Sequence, residues 1–531
     1  MKERTYFIDI TKKSFNYLNN DILETVVESF LKDNPSIDVS TMIHGDNLAK
    51  VYLEVLANNK KHVKDPILMY DTLEKIYDYW RSTKRYILSD ISKSYFINED
   101  NFLTQFDSFN EDLLKAYREL CFKLTGKRFS VYRQLSAFAD VFLLLDKSDK
   151  HVYEELKHAK FISKIAFRTP FVSYSASNKR TGVFPIVNKN PINGLNTDND
   201  KWFVMPILSG ETRIFVYFPK RYISLGVSLS NLFQLDDEYK HKKPDAIIVF
   251  GSNTFDGIYY DSEKGVYIAS LVNCDKIDYF GYMKKIILTV HNIKMINSGK
   301  LPIHGAGVSI KLKNGAVKNV VIIGDSGAGK SETLEALREV SDGEIVDITT
   351  IYDDMGTFET ANNQVVTLGT EIGAFVRTDD LANDYVYKVF DRSIFLNPNG
   401  KNARLVLPIT SYHDVVRRYP VDFVFYANNY EESDKKIALI NNKNDSLEVF
   451  KAGKRIALGT TSEEGFVSTF FANPFGPVQL KEKTEKLLDQ YFELLYKNGV
   501  KIGQLYTGLA LQNGKENPKL AAVELLEALK K

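Results

Sequence analysis

Residues Gly324, Asp325, Ser326, Gly327, Ala328, Gly329, Lys330 and Ser331 suit one chemistry by type and spacing, the holding of a polyphosphate. Glycines let a backbone fold tightly enough for several N–H groups to point at phosphate oxygens. The apolar run Val320-Val321-Ile322-Ile323 stands in front, and the helix-forming Glu332-Thr333-Leu334-Glu335-Ala336-Leu337 stands behind. A helix N-terminus at that point adds partial positive charge. Lys330 is placed to reach the outer phosphates, and the Ser331 hydroxyl to hold a magnesium or manganese ion. Strand, loop and helix signals in this order separate the motif from a chance glycine-rich turn.

A phosphate loop also needs acids for the metal and cations for developing charge. Asp353 and Asp354 follow the apolar segment 345–351 at the distance and in the order expected of metal-holding acids. The competing reading is an exposed Asp/Gly turn. His304 lies between Pro302 and the glycines Gly305 and Gly307, which would allow close approach of a cofactor or metal. A lone histidine is otherwise a core or surface residue. Lys284 and Lys285, judged as a pair of lysines alone, read as a solvated helix face. Arg404 is ambiguous without context.

The elements that must position these residues follow from periodicity. Apolar residues three and four apart in 22–31 and 113–120 mark helices, and residues 1–165 read as a helical accessory region. Short branched and aromatic runs, Phe171-Val172-Ser173-Tyr174, Trp202-Phe203-Val204-Met205, Arg213-Ile214-Phe215-Val216-Tyr217 and Ala246-Ile247-Ile248-Val249-Phe250, mark strands of a mixed sheet. Residues 166–275 read as a β-rich, substrate-side domain, and 276–531 as the nucleotide- and metal-binding domain. That last region opens on a helix over 279–297 and closes with a helix over 478–498, a strand over 500–506 and a helix over 519–530.

Composition narrows the class. Lys and Arg number 69 against 68 Asp and Glu, so no global field favours nucleic acid. Cys121 and Cys274 are far apart, with neither metal spacing nor a disulfide framework, which suits a reducing cytoplasm. No stretch approaches the roughly 20 apolar residues that cross a bilayer. The expected partner is a nucleotide, with the N-terminal helical region available to a protein partner.

The motifs, in this order, resemble phosphoenolpyruvate carboxykinase of the ATP-dependent type. Its Gly-Glu-Met-Lys-Lys segment is similar to Gly281-Tyr282-Met283-Lys284-Lys285, and its Pro-Met-His element to Pro302-Ile303-His304. The phosphate loop and Asp353-Asp354 follow. Its Glu-Gly-Gly-Cys-Tyr-Ala-Lys stretch resembles Glu371-Ile372-Gly373-Ala374-Phe375-Val376-Arg377, and its Asn-Thr-Arg element Asn402-Ala403-Arg404. Near the end, Phe471-Ala472-Asn473-Pro474-Phe475, Gly499-Val500-Lys501-Ile502 and Tyr506-Thr507-Gly508 match its closing motifs.

The resemblance covers about 275–510. It implies an α/β fold of the mixed carboxykinase P-loop kind, with the helical N-terminal region as an addition. It implies ATP, Mg2+ and Mn2+ as cofactors, with manganese held by Lys285, His304 and Asp354 and the nucleotide's metal by Ser331. The lysine ligand must be neutral, a form that a nearby dication favours. Lys330, Lys284, Asp353, Asp354 and Arg404 form the implied catalytic set. Arg404, Glu371 and Arg377 face the substrate, which loses CO2 from oxaloacetate and takes the γ-phosphoryl group on the enolate oxygen.

The departures are specific. Tyr282 replaces a glutamate and Arg377 a lysine. The family's Thr-Gly-Arg-Ser-Pro-Lys-Asp-Lys segment has as its nearest text Asn178-Lys179-Arg180-Thr181-Gly182-Val183, which makes Arg180 the candidate for its carboxylate-binding arginine. These changes fall on substrate recognition more than on phosphate and metal handling. The phosphate loop and His304-Gly305 are also similar to the bacterial kinase that phosphorylates a serine of the carrier HPr. A related kinase acting on another hydroxyl is therefore the alternative, with Asp353 or Asp354 as base. A regulatory nucleotide-binding module is the third reading.

Overall fold

The computed structural model describes residues 3–7, 21–90, 99–131, 140–146, 148, 150–180, 184–197, 201–325, 327–378, 390–398, 403–458, 464–512 and 514–531. Ser326, Asn402 and the segment Thr181-Gly182-Val183 lie outside the described residues. The chain is mixed α/β. It divides into two compact units, residues 1–147 with 162–172, and residues 148–161 with 173–531. No helix among the described residues is long and apolar enough to cross a membrane.

The first unit packs the helices Asp21–Asp33, Leu48–Leu56, Pro66–Ser82 and Glu99–Thr125 with the strands Glu3–Phe7, Lys84–Asp90 and Asp140–Asp146. The strands pair in parallel, so each must be followed by a crossover. Helix starts are written locally. Asp65 accepts from the Ile67 and Leu68 N–H groups, with Pro66 at the first helical position. Tyr52, Leu73, Ile76, Trp80 and Leu120 close the core against Ile87 and Phe142. Helical periodicity announced the helices but not the parallel strands. Such strands are buried on both faces and carry no alternation.

In the second unit, one sheet runs Trp202–Ser209, Thr212–Pro219, Ala246–Ser252, Val266–Val272 and Gly257–Asp261. A second sheet is built around Leu301–Leu312, Val317–Ile323, Phe423–Asn428 and Lys501–Tyr506, the last three parallel. The run 320–323 explains why that strand is central. Val320 and Ile322 enter a core with helices Lys330–Val340 and Asn517–Lys530. Val321 and Ile323 enter the core on the opposite face with helix Lys481–Lys497. Helix Phe280–Asn297 is buried nearly all round, and its buried positions include the polar Lys284, Thr289, His291 and Asn292.

Candidate active site

Backbone pairing stitches three motif segments together. The Gly324 N–H donates to the His304 carbonyl at 3.0 Å, and the Gly305 N–H to the Asp354 carbonyl at 3.0 Å. Strand Leu301–Leu312 thus sets the phosphate loop on one side of His304 and the paired aspartates on the other. Gly305 and Gly307 are required by this packing. A Cβ on Gly305 would meet the Ile322 carbonyl at 2.3 Å, and one on Gly307 the Tyr352 ring at 2.5 Å.

The phosphate loop turns through Gly327 and Ala328 into helix Lys330–Val340, with Gly329 at φ +88°, where a side chain would be strained. A Cβ on Gly329 would also come within 2.6 Å of Thr507. Thr507 in turn donates to the Ala328 carbonyl at 2.7 Å, and Asn429 Nδ2 to the Gly327 carbonyl at 3.0 Å. Lys330 Nζ donates to the Asp325 carbonyl at 2.9 Å. Ser331 Oγ donates to Asp353 Oδ1 at 3.1 Å, which places a hydroxyl and a carboxylate of metal-binding type at the helix start. Burial pushes the Asp353 carboxyl above its ordinary value, and Lys330 opposes the shift.

Beside this pair, cations crowd one carboxylate. Lys284 Nζ lies 2.6 Å and Lys285 Nζ 2.7 Å from Asp354 Oδ2, while His304 Nε2 lies 3.0 Å from Oδ1. Lys284 also pairs with Glu371 at 2.9 Å. The two lysines are about 100° apart around their helix, and only their long stems let both ammonium groups reach one oxygen. Lys284 is 2 % exposed, so it is no solvated lysine.

The surroundings divide the charges. Burial opposes ionisation of Asp354, but Lys284, Lys285 and His304 hold its carboxyl well below the usual range. Burial also works against the charge on Lys284, yet Asp354 and Glu371 raise it above an ordinary lysine. Lys285 goes the other way. Burial lowers it and Lys284 adds to the shift, with Asp354 opposing, so it is the lysine held toward neutrality. Burial pushes Glu371 up to about 7 while Lys284 pulls it back.

His304 decides whether a cation fits. Its Nδ1 lies 2.6 Å from the Ala472 carbonyl, which can only accept, so Nδ1 carries the proton. The Nε2 lone pair of the neutral ring then faces Asp354. That contact is attractive only with a second proton on the ring or a cation between the two groups. The carbonyl is aimed by Phe471 and Ala472, both non-glycine residues in left-handed conformation, φ +54° and +48°. Such backbone strain is typical of sites that need one geometry. Lys285 nitrogen, His304 nitrogen and Asp354 oxygen form a donor set suited to a divalent transition ion. Among the described residues, no group of three or more His, Cys, Asp or Glu is arranged for a metal.

Two aromatic rings gather the remaining cations. Lys285 Nζ and the Arg180 guanidinium lie 4.5 Å and 4.8 Å from the Phe475 ring, whose centroid is 5.9 Å from that of His304. Arg404 lies 5.1 Å and Lys284 5.7 Å from the Phe375 ring. Arg377 sits directly across from Arg404 in the antiparallel pair Gly373–Arg377 and Arg404–Pro408. Burial raises the Tyr279 hydroxyl, against the pull of Arg404, Arg180 and Lys284.

Arg180 and Arg404, 224 positions apart in the numbering, thus act on one tyrosine. Sequence reasoning missed Arg455, which pairs with Asp325 of the phosphate loop. It lies in Lys454-Arg455-Ile456-Ala457, where nothing but a strand pattern marks it.

The site joins, on a mixed α/β scaffold, a glycine-rich loop before a helix to an acid–base–lysine cluster. No family model matches the chain, and no curated protein matches it.

Proposed function

We propose that this chain transfers the γ-phosphoryl group of ATP, on a carboxykinase-like P-loop fold. The reaction proposed is that of an ATP-dependent phosphoenolpyruvate carboxykinase, in which oxaloacetate and ATP give phosphoenolpyruvate, ADP and CO2. The observation that carries the reading is the convergence of Lys284, Lys285 and His304 on Asp354, next in the chain to the acid that meets Ser331.

In this reading Lys285, His304 and Asp354 would hold one divalent cation, and Ser331 with Asp353 would hold the nucleotide's. Such cations supply Lewis acidity to substrate oxygens when bound. The chain's own groups do the rest. Lys330 leaves the Asp325 carbonyl for the outer phosphates. Arg404 and Arg377 offer planar donor forks to carboxylate or phosphoryl oxygens, and Arg180 extends that cationic wall past Phe475. Lys284, kept charged by Asp354 and Glu371, neutralises charge that develops at the substrate.

The test is phosphoenolpyruvate formation from oxaloacetate with ATP, Mg2+ and Mn2+. Product is expected, with Lys330→Ala lowering turnover about 10^3-fold or more. Bound ATP without product would sink the carboxykinase reaction. The raised carboxyl of Asp353 would then favour the second reading, a kinase in which that group takes a proton from an acceptor hydroxyl.

A further inference from the structure

The phosphate loop carries a charge of the wrong sign. Asp325 lies within it, 8 % exposed, where the loop N–H groups would receive a polyphosphate. An uncompensated carboxylate there repels each phosphate charge, and a low-dielectric setting magnifies the effect. Among the described residues, Arg455 compensates it strongly. Arg455, 1 % exposed, donates from Nε at 2.9 Å and approaches from Nη2 at 2.8 Å, both to Asp325 Oδ2. The other oxygen, Oδ1, lies 3.6 Å from His304 Nδ1.

Arg455 is itself fixed. It sits in the hairpin Lys454–Leu458 with Glu464–Ser468. The peptides on either side are pinned. Tyr426 donates to the Lys454 carbonyl at 2.8 Å, and the Asn429 amide exchanges bonds with the Ile456 N–H and carbonyl at 3.0 Å and 2.9 Å. Asn429 also holds the Gly327 carbonyl, so one side chain ties the hairpin to the phosphate loop.

We propose that Arg455 is a positioning residue of the nucleotide site, which neutralises Asp325 and holds its carboxylate off the phosphates. The inference rests on the phosphate loop's binding a nucleotide, as proposed above. It has a signature that a merely structural ion pair lacks. Loss of Arg455 must weaken binding in proportion to the ligand's phosphate charge, and removal of the Asp325 charge must cancel that loss.

The experiment is calorimetric binding of AMP, ADP and ATP to the full chain and to Arg455→Gln, Arg455→Lys, Asp325→Asn and the double variant Asp325→Asn/Arg455→Gln. Melting temperatures would be taken alongside. Arg455→Gln is expected to weaken ATP about 10- to 100-fold, ADP less and AMP least. Arg455→Lys should keep part of the affinity, and the double variant should return to within about threefold of the parent. Asp325→Asn, which needs no compensation, should bind ATP at least as well as the parent. Equal losses for all three nucleotides, or no recovery in the double variant, would overturn the proposal. So would unchanged ATP binding in Arg455→Gln. Failure of the underlying reading looks different. The parent chain would then bind no nucleotide, or bind it regardless of Lys330→Ala, and the proposal would fall with it.

Discussion

Two buried ionic clusters, one in each unit, show how differently a chain can use charge. In the first unit Arg85 and Asp140 are both fully buried and meet at 2.5 Å. Arg85 also donates to the carbonyls of Trp80 and Thr83 and stacks over the Trp80 ring at 4.4 Å. Among the described residues one cation meets one anion, and both side chains are fully buried. In the second unit Lys284, Lys285 and His304 share Asp354, whose side chain keeps 24 % of its exposure. That cluster brings three nitrogen groups to one carboxylate, shares Lys284 with a second, Glu371, and keeps a way in from solvent. A balanced, closed pair is a structural device. A crowded, open one leaves nitrogen and oxygen donors within reach of something else, such as a metal and anionic oxygens.

The comparison breaks most visibly if the sealed pair is cut. Arg85→Ala is expected to destabilise the first unit by about 3–5 kcal/mol, because Asp140 stays buried without its partner. Arg85→Met with Asp140→Leu should regain most of that. Urea unfolding, with hydrogen exchange to localise the loss, checks both.

The open cluster should respond in the opposite sense. Lys285→Met removes one of the crowded cations, so the unfolding midpoint should not fall, while affinity for Mn2+ drops about 10- to 100-fold. A midpoint lowered as far as in Arg85→Ala would erase the distinction between the clusters.

A third buried group is sealed but uncharged. His291 is held down to about 3 from an ordinary 6.5, first by burial and then by Lys294 and Lys300. It lines a cavity of about 80 Å3 that Glu211, Lys294, Lys300 and Glu359 also border. Its folded value lies below its unfolded one, so its contribution is complete above pH 6.5. It is lost as pH falls from there toward about 3, by up to about 1.4 kcal/mol per pH unit. Between pH 6.5 and 5 the parent should therefore lose about 2 kcal/mol more than His291→Gln, read from urea midpoints.

The smallest effect belongs to the loop's own support. Thr507→Val removes the buried hydroxyl that bonds the Ala328 and Asn428 carbonyls, and should weaken ATP binding by about 1 kcal/mol, a few-fold, and lower stability by a similar amount.

Much of the second unit was legible beforehand. The helix over 279–297 forms as Phe280–Asn297, the strand at 500–506 as Lys501–Tyr506 and the last helix as Asn517–Lys530. Their apolar spacing is strong and their ends carry local signals. The glycines at 305 and 307 mark a close approach without saying what approaches, and in the fold the Ile322 carbonyl and the Tyr352 ring do so. The burial of Lys284 was invisible for a related reason. A lysine pair looks solvated until Asp354 and Glu371, 70 and 87 positions on, are folded against it.

What the sequence determined alone was the local chemistry. Strand, glycine loop and helix follow from neighbouring residues, and so does the conformation that presents Lys330 and Ser331. Tertiary structure decided which distant groups meet. It set Lys285 apart from Lys284 as the lysine held toward neutrality, fixed the proton of His304 through the Ala472 carbonyl, and brought Arg180 and Arg455 to the site. Those outcomes depend on burial and on charges a few ångströms away, quantities that exist only once the chain has closed on itself.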